Sequence, residues 1–257
     1  MGTVYLLGAG PGDPELLTVK AARILSQASI VLYDSLVSAE ILQLIPQTAE
    51  RVDVGKRAGR KWLSQTDING LLVEAAAHHQ IVVRLKGGDP LLFGRASEEI
   101  DALRSAHVAF EIIPGISAAF GAAASAKISL TDRRLASHVL FTTFSRAPEA
   151  PPLPNVGLTP ETTVVVYMPG PDYGDVAHWL IESGFAPETP CVAQSNATRA
   201  EQQIHRTTIA GLRTLPALPA PALLLVGRVA GHSATAAESF AFLQEIASQH
   251  LPSSRIS

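Results

Sequence analysis

Short runs of β-branched and aliphatic residues alternate along the chain with stretches whose apolar positions recur at helical spacing. Val4-Tyr5-Leu6-Leu7, Ile30-Val31-Leu32-Tyr33, residues 81–86 and Phe110-Glu111-Ile112-Ile113 read as strands. Between them, Leu17, Ala21, Ile24, Leu25 and Ala28 line one face of a helix over about residues 15–27, and Ile68, Leu72, Ala75 and Ala76 do the same over 65–79. Either Asp13 caps the first of these helices, with Pro14 at its first position, or Thr18 caps a later start. A further helix reads over 97–105, where Glu98 and Glu99 sit favourably in the first turn. The second half repeats the theme, with strands expected at 138–143, 162–167, 191–194, 203–208 and 222–226 and helices at 117–126, 175–183 and 235–248. Continuous apolar strands separated by helices predict parallel sheets covered on both faces, so the expected class is α/β. The turn at Pro114–Ser117 marks the expected boundary between an N-terminal α/β domain, 1–115, and a C-terminal one, 116–250, followed by a tail over 251–257. The proline-rich stretch 147–160 reads as a surface loop.

With 257 residues, 47% of them hydrophobic, the chain has ample material for a buried core. A net charge of −3 gives no reason to expect nucleic acid, so an anionic ligand must be met by a local basic patch. Cys191 is the one cysteine, which excludes an internal disulfide framework and fits a reducing cytoplasm. The N-terminus reads directly into a strand without the basic and apolar regions of a signal peptide, and no apolar run approaches the roughly 20 residues of a membrane span. The eight histidines lack metal-ligand spacing, and no metal is expected.

Two Gly-Asp-Pro loops carry the candidate chemistry. Gly8-Ala9-Gly10-Pro11-Gly12-Asp13-Pro14 follows a strand directly, and Asp34 lies after the next strand, where a dinucleotide site places its ribose-binding acid. A nucleotide-binding oxidoreductase is therefore one reading. Against it, Asp13 stands where the fingerprint needs glycine, its carboxylate would repel a pyrophosphate, and Pro11 removes an amide donor. Lys86-Gly87-Gly88-Asp89-Pro90 ends another strand, where ligands of open α/β sheets bind. Asp89 there either accepts hydrogen bonds from a ligand hydroxyl or ammonium or satisfies backbone amides of its own turn. Asp34 and Lys56, both at strand ends, are either proton-handling groups or solvated loop charges. Arg51, Lys56, Arg57, Arg60 and Lys61, then Arg133 and Arg134, form local basic clusters suited to a polycarboxylate, or simply to solvent.

Taken in order, these segments resemble the tetrapyrrole methylase family. The residues that carry the resemblance are Val4 through Thr18, Tyr33-Asp34-Ser35-Leu36-Val37-Ser38, Val54-Gly55-Lys56-Arg57-Ala58-Gly59 and Val83 through Pro90, followed by Pro114-Gly115-Ile116-Ser117-Ala118, Val166-Tyr167-Met168, Pro221-Ala222 and Val226-Gly227-Arg228. The resemblance implies two α/β domains with mostly parallel or mixed sheets, a ligand cleft between them, and a homodimer. It implies S-adenosyl-L-methionine as methyl donor, contacted by Pro11, Gly87, Gly88, Asp89, Leu92, Ser117, Ala118, Met168, Ala197 and Ala222. Asp34 is the implied proton acceptor and Lys56 the implied proton donor, with Arg57, Arg60, Arg133 and Arg134 as candidate contacts for substrate carboxylates. The implied reaction is methylation of uroporphyrinogen III at C2 and C7, giving precorrin-2 and S-adenosyl-L-homocysteine, on a route to sirohaem or cobalamin. Departures from the family pattern at Ala96-Ser97, Asp132, Thr143-Phe144-Ser145 and Ala197 leave a later precorrin or another tetrapyrrole as the alternative acceptor. An acid at Asp132 suits a polyanionic substrate only if Arg133 or Arg134 pairs with it.

Overall fold

The computed structural model describes residues 1–55, 63–145, 153–154 and 156–231. The helix expected over 235–248, the tail and much of the proline-rich stretch lie outside the described residues. The chain divides into two compact units, Met1–Ala122 with Asn196–Gln202, and Ala123–Ser195 with Gln203–Ser257.

The first unit alternates strand and helix: β1 (Thr3–Gly8), α1 (Val19–Leu25), β2 (Ile30–Tyr33), α2 (Ala39–Gln43), β3 (Glu50–Asp53), α3 (Gln65–His78), β4 (Ile81–Lys86), α4 (Ala96–Ser105), β5 (Ala109–Ile113) and α5 (Ala118–Ala126), the last continuing into the second unit. Its five strands pair in parallel in the order β3-β2-β4-β1-β5. Side chains alternate across the sheet. Val4, Leu6, Leu32 and Val82 pack with Leu72 of α3 and Leu103 of α4. Leu7, Val31, Val83 and Leu85 pack on the opposite face with Ala21 and Leu25 of α1 and Ile41 of α2. Both starts considered for the first helix are used. Asp13 Oδ1 accepts from the Glu15 amide at 2.9 Å above a short 3-10 turn at Pro14–Leu16, and Thr18 Oγ1 then accepts from the Ala21 amide at 3.1 Å to open α1.

The second unit holds β6 (His138–Thr143), β7 (Thr162–Tyr167), α6 (Gly174–Glu182), β8 (Pro190–Ser195), β9 (Gln203–Thr208), α7 (Ile209–Leu212) and β10 (Ala222–Val226). Its sheet runs β6-β7-β10-β8-β9, and only β6 and β7 are parallel. The apolar pattern alone predicts a second parallel sheet; this one is mixed, as the family resemblance allows. The connection from β8 to β9 is only Asn196–Gln202, and a parallel crossover needs about a dozen residues or more. One face buries Val164, Val166, Leu224 and Val226 against Val176 and Leu180 of α6 and Ile209 and Leu212 of α7.

Candidate active site

In a parallel sheet every strand delivers its C-terminal end to the same edge. In the first unit the ends of β4, β1 and β5, which are neighbours, release the three loops singled out in the sequence. The loops are stitched together through their backbones. Gly10 and Gly88 exchange hydrogen bonds, amide to carbonyl, at 3.1 and 2.7 Å, and the Ala9 amide donates to the Lys86 carbonyl at 2.7 Å. Glycine is required where the strand ends meet. A Cβ on Gly115 would lie 2.3 Å from the Gly88 carbonyl oxygen and 2.8 Å from Gly8 Cα. Asp89 completes the stitch, accepting from the Leu91 amide at 2.8 Å and from the Gly115 amide at 3.0 Å. The reading of Asp89 as a turn residue thus holds in the geometry, although each carboxylate oxygen keeps lone-pair capacity for a ligand.

The segment Asn196–Gln202 covers the first loop. Thr198 Oγ1 accepts from the Asp13 amide at 3.2 Å. Arg199 crosses Gly12, whose added Cβ would lie 2.6 Å from Arg199 Cγ, and donates to the Leu36 carbonyl. A Cβ on Gly121 of α5 would meet Pro11 at 2.7 Å and the Thr198 methyl at 3.1 Å. The first unit therefore gathers Pro11, Gly87, Gly88, Asp89, Leu92, Ser117, Ala118 and the Ala197 segment at one edge of its sheet. In the second unit Met168 follows β7 and Ala222 opens β10; the pairing of Tyr167 with Leu223 sets the two at one end of adjacent strands. Lys56, Arg57 and Arg60 lie outside the described residues.

This loop chemistry discriminates between ligands. Several amides of the first loop are committed elsewhere: those of Ala9 and Gly10 to β4 and its loop, that of Asp13 to Thr198, while Pro11 has none. The carboxylates of Asp13 and Asp89, held on the same loops by backbone amides, would repel a phosphate. A ligand with cationic and hydroxyl groups and no phosphate fits these residues.

Beside the loops lies an ionic cluster that the sequence reading missed. Arg84 of β4 donates through Nη2 to Asp34 Oδ1 at 2.6 Å and through Nε to Glu99 Oε1 of α4 at 2.9 Å. Lys86 Nζ donates to the same Glu99 oxygen at 3.0 Å. The side chains of Arg84, Lys86 and Glu99 are 2%, 4% and 0% exposed, and that of Asp34 is 26% exposed, so the cluster runs from the interior to solvent. Burial works against the Arg84 charge, but the two carboxylates outweigh it and its pKa is raised. Burial first, then repulsion from Arg84, lowers the pKa of Lys86, with Glu99 opposing. The available signal was two cations at alternate positions of an otherwise apolar strand, Ile81-Val82-Val83-Arg84-Leu85-Lys86, which places both on one covered face. Buried charges demand partners. Glu99, read only as favourable to the helix end, is that partner.

In the second unit Arg134 and Asp132 form a fork pair, Nη2 to Oδ2 at 2.8 Å and Nε to Oδ1 at 3.0 Å. Hydrogen bonding to Asp132 raises the Arg134 pKa. The acid that looked out of place beside a polyanion is paired as that placement requires. Arg133 is exposed next to it.

The fold and its loops match those of solved methyltransferases. The structure aligns with a solved uroporphyrin-III C-methyl transferase of Thermus thermophilus complexed with S-adenyl homocysteine, at a TM-score of 0.81 and 33% identity, over 93% of this chain and 100% of that one. The chain belongs to the family described as Tetrapyrrole (Corrin/Porphyrin) Methylases, which its residues 3–213 match. It is 44% identical to a uroporphyrinogen-III C-methyltransferase of Paracoccus denitrificans over 96% of its own length and 86% of that protein's. A siroheme synthase of a Psychrobacter species is also 44% identical over 90% of the chain, which spans 48% of that longer relative. The resemblance read from the ordered motifs is thereby established at the level of the family.

Proposed function

We propose that this chain methylates uroporphyrinogen III at C2 and C7, yielding precorrin-2. The similarity to the Paracoccus enzyme across nearly the whole chain carries this reading. S-adenosyl-L-methionine supplies the reactive group: for each transfer the sulfur–methyl bond breaks as a carbon–carbon bond forms, the sulfonium becomes a neutral thioether, and the ring system gives up one proton. Such a donor brings its own electrophile, so the chain's task is alignment and proton handling.

Pro11, Gly87, Gly88, Asp89, Leu92, Ser117, Ala118 and Ala197 of the first unit are the proposed donor contacts, joined by Met168 and Ala222 of the second. The stitched loops support this, because they present glycine backbone and carboxylates instead of a phosphate-binding nest. Asp34 takes the proton. Its Oδ1 is held by Arg84, and its partial exposure opens the carboxylate to a substrate. Lys56 is the proposed proton donor, and Arg57, Arg60, Arg133 and Arg134 the proposed partners of substrate carboxylates. The active species is proposed to be a cytoplasmic homodimer.

The decisive assay is anaerobic incubation of the protein with S-adenosylmethionine and uroporphyrinogen III, which should give precorrin-2. Asp34→Asn should slow turnover about 100-fold, within the usual range for loss of a general base, while S-adenosylhomocysteine binding is kept. Absence of a dimethylated product would overturn the assignment of the acceptor.

A further inference from the structure

We infer that Arg84 is a positioning residue for Asp34, and that Glu99, itself held by Lys86, fixes Arg84 in that role. The inference rests on the reading of Asp34 as the base and adds three residues to it.

The geometry carries the argument. Arg84 cannot turn without breaking several contacts at once. Nη2 holds Asp34 Oδ1 at 2.6 Å and Nε holds Glu99 Oε1 at 2.9 Å, while Nη1 points to the carbonyls of Leu85 and Leu32 at 3.4 and 3.5 Å. A planar guanidinium presents such donors in a fixed fork, which a lysine cannot reproduce. Lys86 approaches the same Glu99 oxygen at 3.0 Å, so one carboxylate anchors both cations. The four formal charges cancel, two positive and two negative. Three of them are buried, and the fourth, on Asp34, is the one that opens toward solvent.

Stability does not explain this arrangement. Burying ions carries a desolvation penalty of several kcal/mol each, and apolar residues of similar volume are often as stable. What the cluster supplies is direction. It fixes one oxygen of Asp34 from behind and leaves Oδ2 as the oxygen for the departing proton. A misplacement of about 1 Å in a reacting group can slow catalysis on the order of 100-fold, so this fixation has kinetic weight.

The test is a kinetic double-mutant cycle on the full chain with uroporphyrinogen III and S-adenosylmethionine, using single-turnover assays that resolve slow variants. Arg84→Met should lower the methylation rate about 100-fold, with the Kd for S-adenosylhomocysteine unchanged. Arg84→Lys should recover part of the rate, because it restores the charge but not the fork. In an Asp34→Asn background Arg84→Met should cost nothing further, since its effect passes through Asp34. Should Arg84→Met fail to fold, the same cycle is run with Arg84→Lys, which keeps the buried charge paired. Equal rate losses in the two backgrounds would mean that Arg84 supports only the fold, and would overturn the inference. Full activity of Asp34→Asn would instead remove the base itself. A slow Asp34→Asn beside a fully active Arg84→Met would leave the base standing and remove only its positioning.

Discussion

The two sheets bury polar groups in opposite ways. Among the described residues, the buried charges Arg84, Lys86 and Glu99 all belong to the first unit, whereas the buried polar side chains of the second unit's strands are neutral, among them Thr142, Thr162, Thr163 and Ser195. The difference follows from topology. The parallel sheet sends every strand end to one edge, so its loops and helix starts gather there and ionic groups can serve a common purpose. The mixed sheet sends its strand ends both ways, and the residues singled out in its strands and their ends, Met168 and Ala222, are uncharged. Among the described residues, buried charge is thus confined to the unit that carries the glycine loops, while the strands of the second unit bury neutral polar groups.

The largest effect should come from Glu99→Gln. Removing one partner of a buried ionic set costs about 3–5 kcal/mol, because two buried cations lose their shared anion. Denaturant unfolding reads this directly, and a loss below 1 kcal/mol would show the cluster to be far better solvated than its burial indicates. Gly115→Ala comes next. Its methyl group would press on the Gly88 carbonyl oxygen and part the stitched loops, at an overpacking cost of about 1–3 kcal/mol. Calorimetry with S-adenosylhomocysteine should show weakened binding as well, and unaltered binding would separate the stitch from the ligand.

The second unit should respond differently. Thr163 Oγ1 is fully buried without a hydrogen-bonding partner, so the near-isosteric Thr163→Val should stabilise the fold by about 1 kcal/mol. A clear destabilisation would mean that the hydroxyl is engaged after all. A pair of opposing slopes at alkaline pH gives a further test. Burial and the Arg84 charge hold Lys86 below its ordinary 10.5, so between its lowered value and 10.5 the unfolded chain carries more protons and stability rises with pH. Burial pushes the Cys191 thiol above its ordinary 9.0, so beyond that point the folded chain carries more protons and stability falls, by about 1.4 kcal/mol per pH unit. Cys191→Ala should flatten the alkaline decline and Lys86→Met should steepen it. Unfolding curves at a series of alkaline pH values that matched the parent in both variants would contradict both assignments.

Much of the fold was legible in the sequence because it is encoded locally. The apolar runs at Val4–Leu7 and Ile30–Tyr33 and the helical spacing of Ile68, Leu72 and Ala76 depend on near neighbours alone. Strand direction in the second unit was not legible in the same way. It depends on which strands pair, although the polar run Gln203-Ile204-His205-Arg206 and the short link before it mark an antiparallel edge. In the candidate site, the glycine loops announced themselves through backbone demands that few other residues meet. The charge cluster did not, because Asp34, Arg84 and Glu99 are separated by 50 and 15 positions and meet only once β2, β4 and α4 are assembled. Asp132 shows the reverse: an apparent misfit was answered two residues away by Arg134.

The segment Asn196–Gln202 also bears on how the chain matures during synthesis. The parallel sheet is complete once Ile113 has left the ribosome, yet the loop through Gly12 and Asp13 still lacks Thr198 and Arg199. A nascent chain therefore carries a finished scaffold with an uncovered glycine loop until residue 199 has also left the ribosome. A fragment cut after Ala122 lacks the residues that cover that loop. Gene fusions or truncations made at the first apparent boundary separate the glycine loop from the segment that covers it.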